Sequence, residues 1–217
     1  MITAKNHVRR NHYTIGLGAT LIVLFTALYL LINPLQSFDS GAVSNFPIQY
    51  PGLDGFMLAV TTIGSPIPIA LIAIAWAGIE FAWNRRDRAL VMIASLAAAP
   101  LFFVLKEFFH RHRPATLYAQ SLGIHSYSFP SGHATMSFSV LLTLAYLLSM
   151  RLPRVWSRVV TLVLIIIVLG IGISRVYLGA HYPTDVVGGW LVGGLVLLSL
   201  RTYVAAYEHA ADKRVEV

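Results

Sequence analysis

Cysteine is absent from this 217-residue chain. That removes a disulfide framework, a thiolate nucleophile and a thiolate metal site together. Charge is scarce as well: Asp, Glu, Lys and Arg make up 12% of the residues, with 9 acids against 16 Lys and Arg. There is no low-complexity segment and no evident repeat. No carboxylates gather around the histidines at metal-ligand spacing, so no metal and no cofactor are expected. Hydrocarbon fills the chain instead. Hydrophobic residues reach 57% and the mean hydropathy is +0.70, far from a soluble domain.

Apolar runs near the ~20 residues that cross a bilayer recur six times, at about residues 13–33, 56–83, 89–109, 134–150, 159–173 and 186–204. The fifth is short unless extended to about Tyr177. Pro66 and Pro68 interrupt the second, so its helix is expected to begin after them. The fold class expected is all-α, a six-helix transmembrane bundle forming one domain over residues 1–217. The basic stretch Lys5, Arg9 and Arg10 resembles a signal-peptide start. The following apolar run is long and has no small-x-small cleavage site, so it reads as a retained first helix.

The excess of base is placed by topology. With a cytoplasmic N-terminus, the inner segments hold Lys5, Arg9, Arg10, Arg85, Arg86, Arg88, Arg151, Arg154, Arg158, Arg201, Lys213 and Arg214, twelve of the 16 cations. Lys106, Arg111, Arg113 and Arg175 remain for the outer face, as the positive-inside rule expects. Basicity here implies membrane lipids as partners rather than nucleic acid. Both termini are then cytoplasmic in a multi-pass protein of the plasma (inner) membrane. The loops carrying His125 and His181 are extracytoplasmic. The outer stretch 34–55 contains no Lys or Arg; it is given room for an interfacial helix and assigned no chemistry.

Three polar islands interrupt this background, all on the outer side: Lys106 with Arg113-Pro114, then Pro130-Ser131-Gly132-His133, then Ser174-Arg175 with His181 and Asp185. Charges at the edge of hydrocarbon are costly and call for a reason. Together the islands supply three fixed cations, two imidazoles and a carboxylate, an inventory suited to holding a phosphoryl group, attacking it and protonating what leaves. Ser131 is a candidate N-cap, Gly132 lets backbone approach a ligand, and the free N–H groups of a helix start favour an anion. Lys106 and Arg113 lie two helical turns apart, and Pro114 puts the helix end near Arg113. Arg113 and Arg175 offer planar forks for phosphate oxygens, with Lys106 as a point charge. Pro183 favours a helix start that sets Asp185 in the first turn beside the His181 ring, where a carboxylate fixes the tautomer and stabilises imidazolium. Ser174 either bonds phosphate or ends its helix.

Each island alone also has a plain reading: a capped helix, snorkelling cations, an aspartate at a helix start. Arg111 is read as such a snorkelling cation, and His110, His112 and His125 as loop polarity rather than a metal site. Gly189 and Gly193, with Gly188 and Gly194, read as close packing within the bundle, with dimerisation as the other use and the oligomeric state left open.

Taken together, the islands resemble the three-part signature of the type 2 phosphatidic acid phosphatase superfamily, with every signature position between Lys106 and Asp185 occupied by the expected residue. That superfamily includes membrane lipid phosphate phosphatases and, on a related helical core, soluble acid phosphatases and vanadium haloperoxidases; the six-helix layout resembles the membrane branch. The resemblance implies His181 as a nucleophile forming phosphohistidine, Asp185 as its orienting acid and His133 as general acid. It also implies Lys106, Arg113, Ser131, Gly132 and Arg175 as the phosphate cradle, with Ser174 beside them.

The function expected is a metal-independent membrane phosphatase acting on a lipid phosphate or diphosphate at the outer leaflet. Candidates within the resembling family are undecaprenyl diphosphate, phosphatidylglycerophosphate, phosphatidic acid and lipid A phosphates. Arg111 with His110 and His112, folded inward, would hold a second phosphate, which favours undecaprenyl diphosphate. A lipid phosphotransferase and a non-enzymatic anion-binding transporter are the alternatives. A transporter would carry polar groups at mid-membrane depth or paired broken helices.

Overall fold

A computed structural model describes residues 4–45, 51–121 and 126–215, and all the regular structure among them is helical. The helices are α1 (Ala4–Leu31), α2 (Gln36–Ser44), α3 (Pro51–Ile63), α4 (Pro66–Ala82), α5 (Arg86–Ala94), α6 (Ala98–Phe109), α7 (Leu117–Ser121), α8 (Gly132–Ser149), α9 (Arg154–Tyr177) and α10 (Pro183–Val215). Four stretches are long and apolar enough to span a membrane: Arg86–Phe109, Gly132–Ser149, Arg154–Tyr177 and Pro183–Ala205. Two bent pairs, Ile15–Leu31 with Gln36–Ser44 and Gly52–Ile63 with Pro66–Ala82, raise the number to six if each counts as one span.

The departures from the expected runs have local causes. The second run is two helices bent by 48°. Pro66 is the first residue of α4, and Ser65 before it is extended, with φ −70° and ψ 156°, as a residue preceding proline prefers. Gly64 sits at the break because a Cβ there would lie 2.5 Å from the Ile171 side chain on α9. The third run is continuous, but a 3₁₀ turn at Ser95–Ala97 joins α5 to α6. Pro100 has no N–H for the Leu96 carbonyl and crowds it. Ser139 on α8 donates to the Ser95 carbonyl at 2.8 Å, tying the interruption to the middle of the bundle.

α8 runs through that middle, flanked by α4, α9 and α10. Its buried face carries Ala134, Ser137, Val140, Leu141 and Ala145, small enough for neighbouring backbones to come close. The α10 glycines are used in the same way. A Cβ on Gly189 would meet the Ser131 carbonyl at 2.7 Å, and one on Gly193 the Thr135 carbonyl at 2.8 Å. Both glycines therefore serve packing within the bundle. The rim faces outward with large apolar side chains such as Leu71, Leu90, Val104 and Ile166, the surface a bilayer covers. The stretch 34–55, given room for an interfacial helix, contains α2, which is turned 81° from α1.

Candidate active site

The α9–α10 turn fixes the central histidine. Arg175 lies in the last turn of α9, and its carbonyl accepts from the N–H groups of Ala180 (2.9 Å) and His181 (3.2 Å). Gly179 makes this reversal with φ +67°, a conformation glycine adopts without a Cβ penalty. Pro183 opens α10 and Asp185 lies in its first turn, as its spacing predicts. His181 is 2% exposed and Asp185 wholly buried.

The His181–Asp185 pair is bridged rather than direct. His181 Nδ1 is 3.5 Å from Asp185 Oδ2, too long for a hydrogen bond. Ser128 stands between them: its Oγ donates to Asp185 Oδ2 at 2.5 Å and lies 3.2 Å from Nδ1. With that hydroxyl hydrogen on the carboxylate, Oγ accepts from Nδ1–H. On the far side of the ring, Arg113 Nη1 is 3.1 Å from Nε2, and a guanidinium can only donate. The partners therefore assign the Nδ1–H tautomer, leaving the Nε2 lone pair outward. Burial, and then the charges of Lys106, Arg113 and Arg175, hold the His181 pKa well below its ordinary value, so the ring is neutral at neutral pH.

Around it Lys106 and Arg175 are buried and Arg113 half-buried, and their hydrogen-bond partners among the described residues are neutral groups. Lys106, in the last turn of α6, donates from Nζ to the carbonyls of Tyr127 and Ser128. Arg113 donates from Nε to the Ser126 carbonyl (2.9 Å) and from Nη1 to the Ala180 carbonyl (3.0 Å). Burial and the nearby Arg175 lower its pKa to about 10, which leaves it a cation. Arg175 reaches Thr61 Oγ1 from Nη1 at 2.5 Å, while its Nε is buried without a partner.

The Pro130–His133 island is held by its backbone. Ser131 N–H donates to the Asp185 carbonyl at 2.9 Å. Ser131 occupies the N-cap position of α8 but makes no capping bond, and its Oγ is buried and unpartnered. Gly132 has a packing reason: a Cβ would lie 2.9 Å from the Phe102 ring. His133, in the first turn, is half-buried and within electrostatic reach of Arg175, His181, Arg113 and Lys106. Ser174 is the one signature-region residue directed elsewhere, donating to the Ile171 carbonyl at 2.7 Å inside α9.

Arg111 overturns its snorkelling expectation. Its side chain is 10% exposed and pairs with two wholly buried carboxylates, Asp39 Oδ2 at 2.7 Å and Asp185 Oδ1 at 2.5 Å. Both terminal nitrogens of the fork are thus engaged by carboxylates rather than free for a second phosphate. Asp39, on α2, is a residue that sequence reasoning missed, as are Ser128 and Thr61. A faint signal existed for Ser128, two positions before Pro130. His110 and His112 pack around Tyr127, with ring centroids at 4.6 Å and 6.3 Å; His125 lies outside the described residues. Beside them a cavity of about 560 Å³ is lined by Asn33, Gln36, His110, Arg111, His112 and Tyr182, among others. Among the described residues no three His, Asp or Glu side chains are grouped to hold a metal ion.

Residues 88–208 match the model of the PAP2 superfamily. Phosphatidylglycerophosphatase B of Bacillus subtilis is 34% identical over 84% of this chain and 91% of its own length. A crystal structure titled as the first transmembrane PAP2 type phosphatidylglycerolphosphate phosphatase from Bacillus subtilis superposes with a TM-score of 0.74 at 31% identity, over 86% of this chain and 94% of that one. YbjG of Escherichia coli, whose name carries undecaprenyl-diphosphatase as a provisional assignment, is 33% identical over 60% of this chain and 65% of its own. With the family model covering more than half its length and one relative 84% of it, the chain belongs to the PAP2 superfamily, among its membrane-embedded phosphatases.

Proposed function

We propose that the protein removes the terminal phosphate of a membrane lipid through a phosphohistidine on His181. One observation carries this reading: buried Lys106 and Arg175 and half-buried Arg113 act on a neutral His181, and among the described residues their hydrogen-bond partners are carbonyls, hydroxyls and the His181 ring nitrogen. Two donors nearby, Ser131 Oγ and Arg175 Nε, have no partner. A phosphoryl group would replace those neutral acceptors with anionic oxygens, which bind such donors more strongly. Charge on the equatorial oxygens is then neutralised by fixed cations and by the free N–H groups of the first α8 turn, the main demand of phosphoryl transfer.

The steps balance within this set. Nε2 attacks phosphorus as the P–O bond to the lipid breaks, and His133 gives its proton to the departing oxygen. Asp185, through Ser128, stabilises the positive charge that His181 acquires. Water, deprotonated by His133, then attacks the phosphohistidine and releases inorganic phosphate, restoring both rings. No step calls for a metal ion.

The Lys and Arg distribution supports an extracytoplasmic site and cytoplasmic termini. Among lipids, phosphatidylglycerophosphate is the favoured substrate. A second phosphate held by Arg111 with His110 and His112 would need a free guanidinium, and the Arg111 fork is held by two carboxylates. The relative matched over 84% of the chain bears the name phosphatidylglycerophosphatase B. Undecaprenyl diphosphate is the second reading, supported by the name of YbjG. The test is inorganic phosphate release by the purified protein in detergent with EDTA, from phosphatidylglycerophosphate, undecaprenyl diphosphate and phosphatidic acid. The highest kcat/KM is expected for phosphatidylglycerophosphate. A clear preference for the diphosphate reverses the substrate, and activity that returns only with added magnesium overturns the metal-free mechanism.

A further inference from the structure

Arg111 and Asp39 take no part in the steps just described, yet they enclose the carboxylate on which those steps depend. Arg111 Nη1 donates to Asp185 Oδ1 at 2.5 Å and to Thr184 Oγ1 at 2.7 Å. Its Nη2 donates to Asp39 Oδ2 at 2.7 Å. Asp39 accepts in addition from the Thr184 hydroxyl at 2.5 Å and from the Thr184 N–H at 3.2 Å. The Tyr182 ring lies over the guanidinium, 4.4 Å from its centroid to Cζ. The first turn of α10 is thus held by Arg111 and by Asp39 of α2.

We propose that Asp39 and Arg111 are positioning residues for Asp185, which makes α2, well before the family match at residues 88–208, a working part of the site. The inference rests on the assignment of His181 as nucleophile and Asp185 as its acid.

Two physical effects carry it. The first is direction. Asp185 Oδ1 is taken by Arg111, so only Oδ2 is left to receive Ser128 Oγ and the Tyr182 N–H. That division orients the carboxylate plane and, through Ser128, the Nδ1 side of His181. A planar fork can hold two carboxylates in fixed relation; an ammonium cannot.

The second effect is charge. Arg111 with Asp185 alone would be a neutral pair, and Asp185 would have little negative field left for the imidazole. With Asp39 the set is one cation between two anions, and one net negative charge remains. That charge matters when His181 becomes positive on attack, in a site already crowded with cations. Its benefit is larger in the transition state than in the bound substrate, so it acts on kcat. A simple staple between α2 and α10 would need neither the charge on Asp39 nor a link to Asp185.

A double-mutant cycle separates the two roles, with turnover measured on the best-hydrolysed lipid of the panel above and thermal unfolding followed in the same detergent. Asp39→Asn keeps the shape and an acceptor for Thr184 and Arg111 but removes the charge. It is expected to lower kcat about tenfold, with KM changed less than about threefold. In an Asp185→Asn background the same substitution is expected to have almost no further effect, because its route to His181 is already cut. Wild-type kcat for Asp39→Asn beside a depressed Asp185→Asn overturns the proposal. So does a fall that is undiminished in the Asp185→Asn background, or one confined to KM. Should Asp39→Asn not accumulate as folded protein, Arg111→Lys runs through the same cycle, with the same results deciding. Wild-type turnover by both His181→Ala and Asp185→Asn is a separate result: it removes the catalytic assignment itself.

Discussion

Two buried arginine–carboxylate clusters lie at opposite ends of α8, and they differ in how their charges are matched. Beyond its C-terminus, Arg151 pairs with the fully buried Glu80, and Trp76 Nε1 donates to the same carboxylate at 2.9 Å. The Arg151 guanidinium lies 4.4 Å from the Trp83 ring centroid. One cation meets one anion there, under aromatic cover. At the N-terminal end, about 27 Å away for 18 residues at ~1.5 Å each, Arg111 serves two carboxylates. Lys106, Arg113 and Arg175 meet carbonyls and hydroxyls. The first cluster is balanced and fastens helices. The second has cations to spare for an incoming anion, and that imbalance marks it as the working end.

The largest difference between the two ends is expected at His181, the proposed nucleophile. His181→Ala is expected to lower turnover by about 10⁴-fold or more and to abolish acid-labile phosphoenzyme in rapid-quench labelling. Near-normal turnover would remove His181 from the mechanism. Next comes the balanced end. Arg151→Ala leaves Glu80 buried without its cation, at a cost of about 3–5 kcal/mol. Thermal melts should shift far down while kcat/KM of the folded fraction is unchanged; a catalytic defect with normal melting would mean that this end, too, takes part in turnover. Arg175→Lys replaces a fork by a point charge and is expected to lower kcat/KM about tenfold. A silent substitution would show that the charge alone is used.

The smallest effect is linked to pH. Folded His181 stays neutral well below the ordinary histidine range, while the unfolded chain takes up a proton near pH 6.5. The unfolded state therefore binds more protons below that pH, and stability declines as pH falls, by up to about 1.4 kcal/mol per pH unit for this ring. His181→Gln should flatten the melting temperature against pH between 7 and 5. An unchanged slope would assign the linkage to other groups.

What the sequence makes readable is local. The apolar runs, the helix start at Pro183 and the α8 start after Ser131 follow from spacing and from proline and glycine chemistry. The three islands announce themselves because charge is rare around them. Asp39, Ser128, Thr61 and Glu80 do not, because each looks like an isolated polar residue in an ordinary stretch. Their partners lie far along the chain: Asp39 meets Arg111 and Thr184, Thr61 meets Arg175, Ser128 meets Asp185. Arg111 is misread for the same reason. Nothing in its neighbourhood says that α2 folds back to supply a carboxylate. The helix break at Pro66 and the 3₁₀ turn before Pro100 are readable in kind, since proline removes a donor, but not in angle.

One backbone hydrogen bond described above reaches beyond packing. Ser131 N–H donates to the Asp185 carbonyl, so the stretch of chain that carries His133, the proposed proton donor, is spliced to the helix that carries Asp185, the acid proposed to serve His181. The glycines of α10 press the two helices together just below that splice. When a bilayer thickens or thins, helices adjust by tilting, and here α8 and α10 must tilt as one body. The gap between His133 and His181 is then insulated from membrane thickness, and the enzyme carries its own ruler into whatever lipid surrounds it.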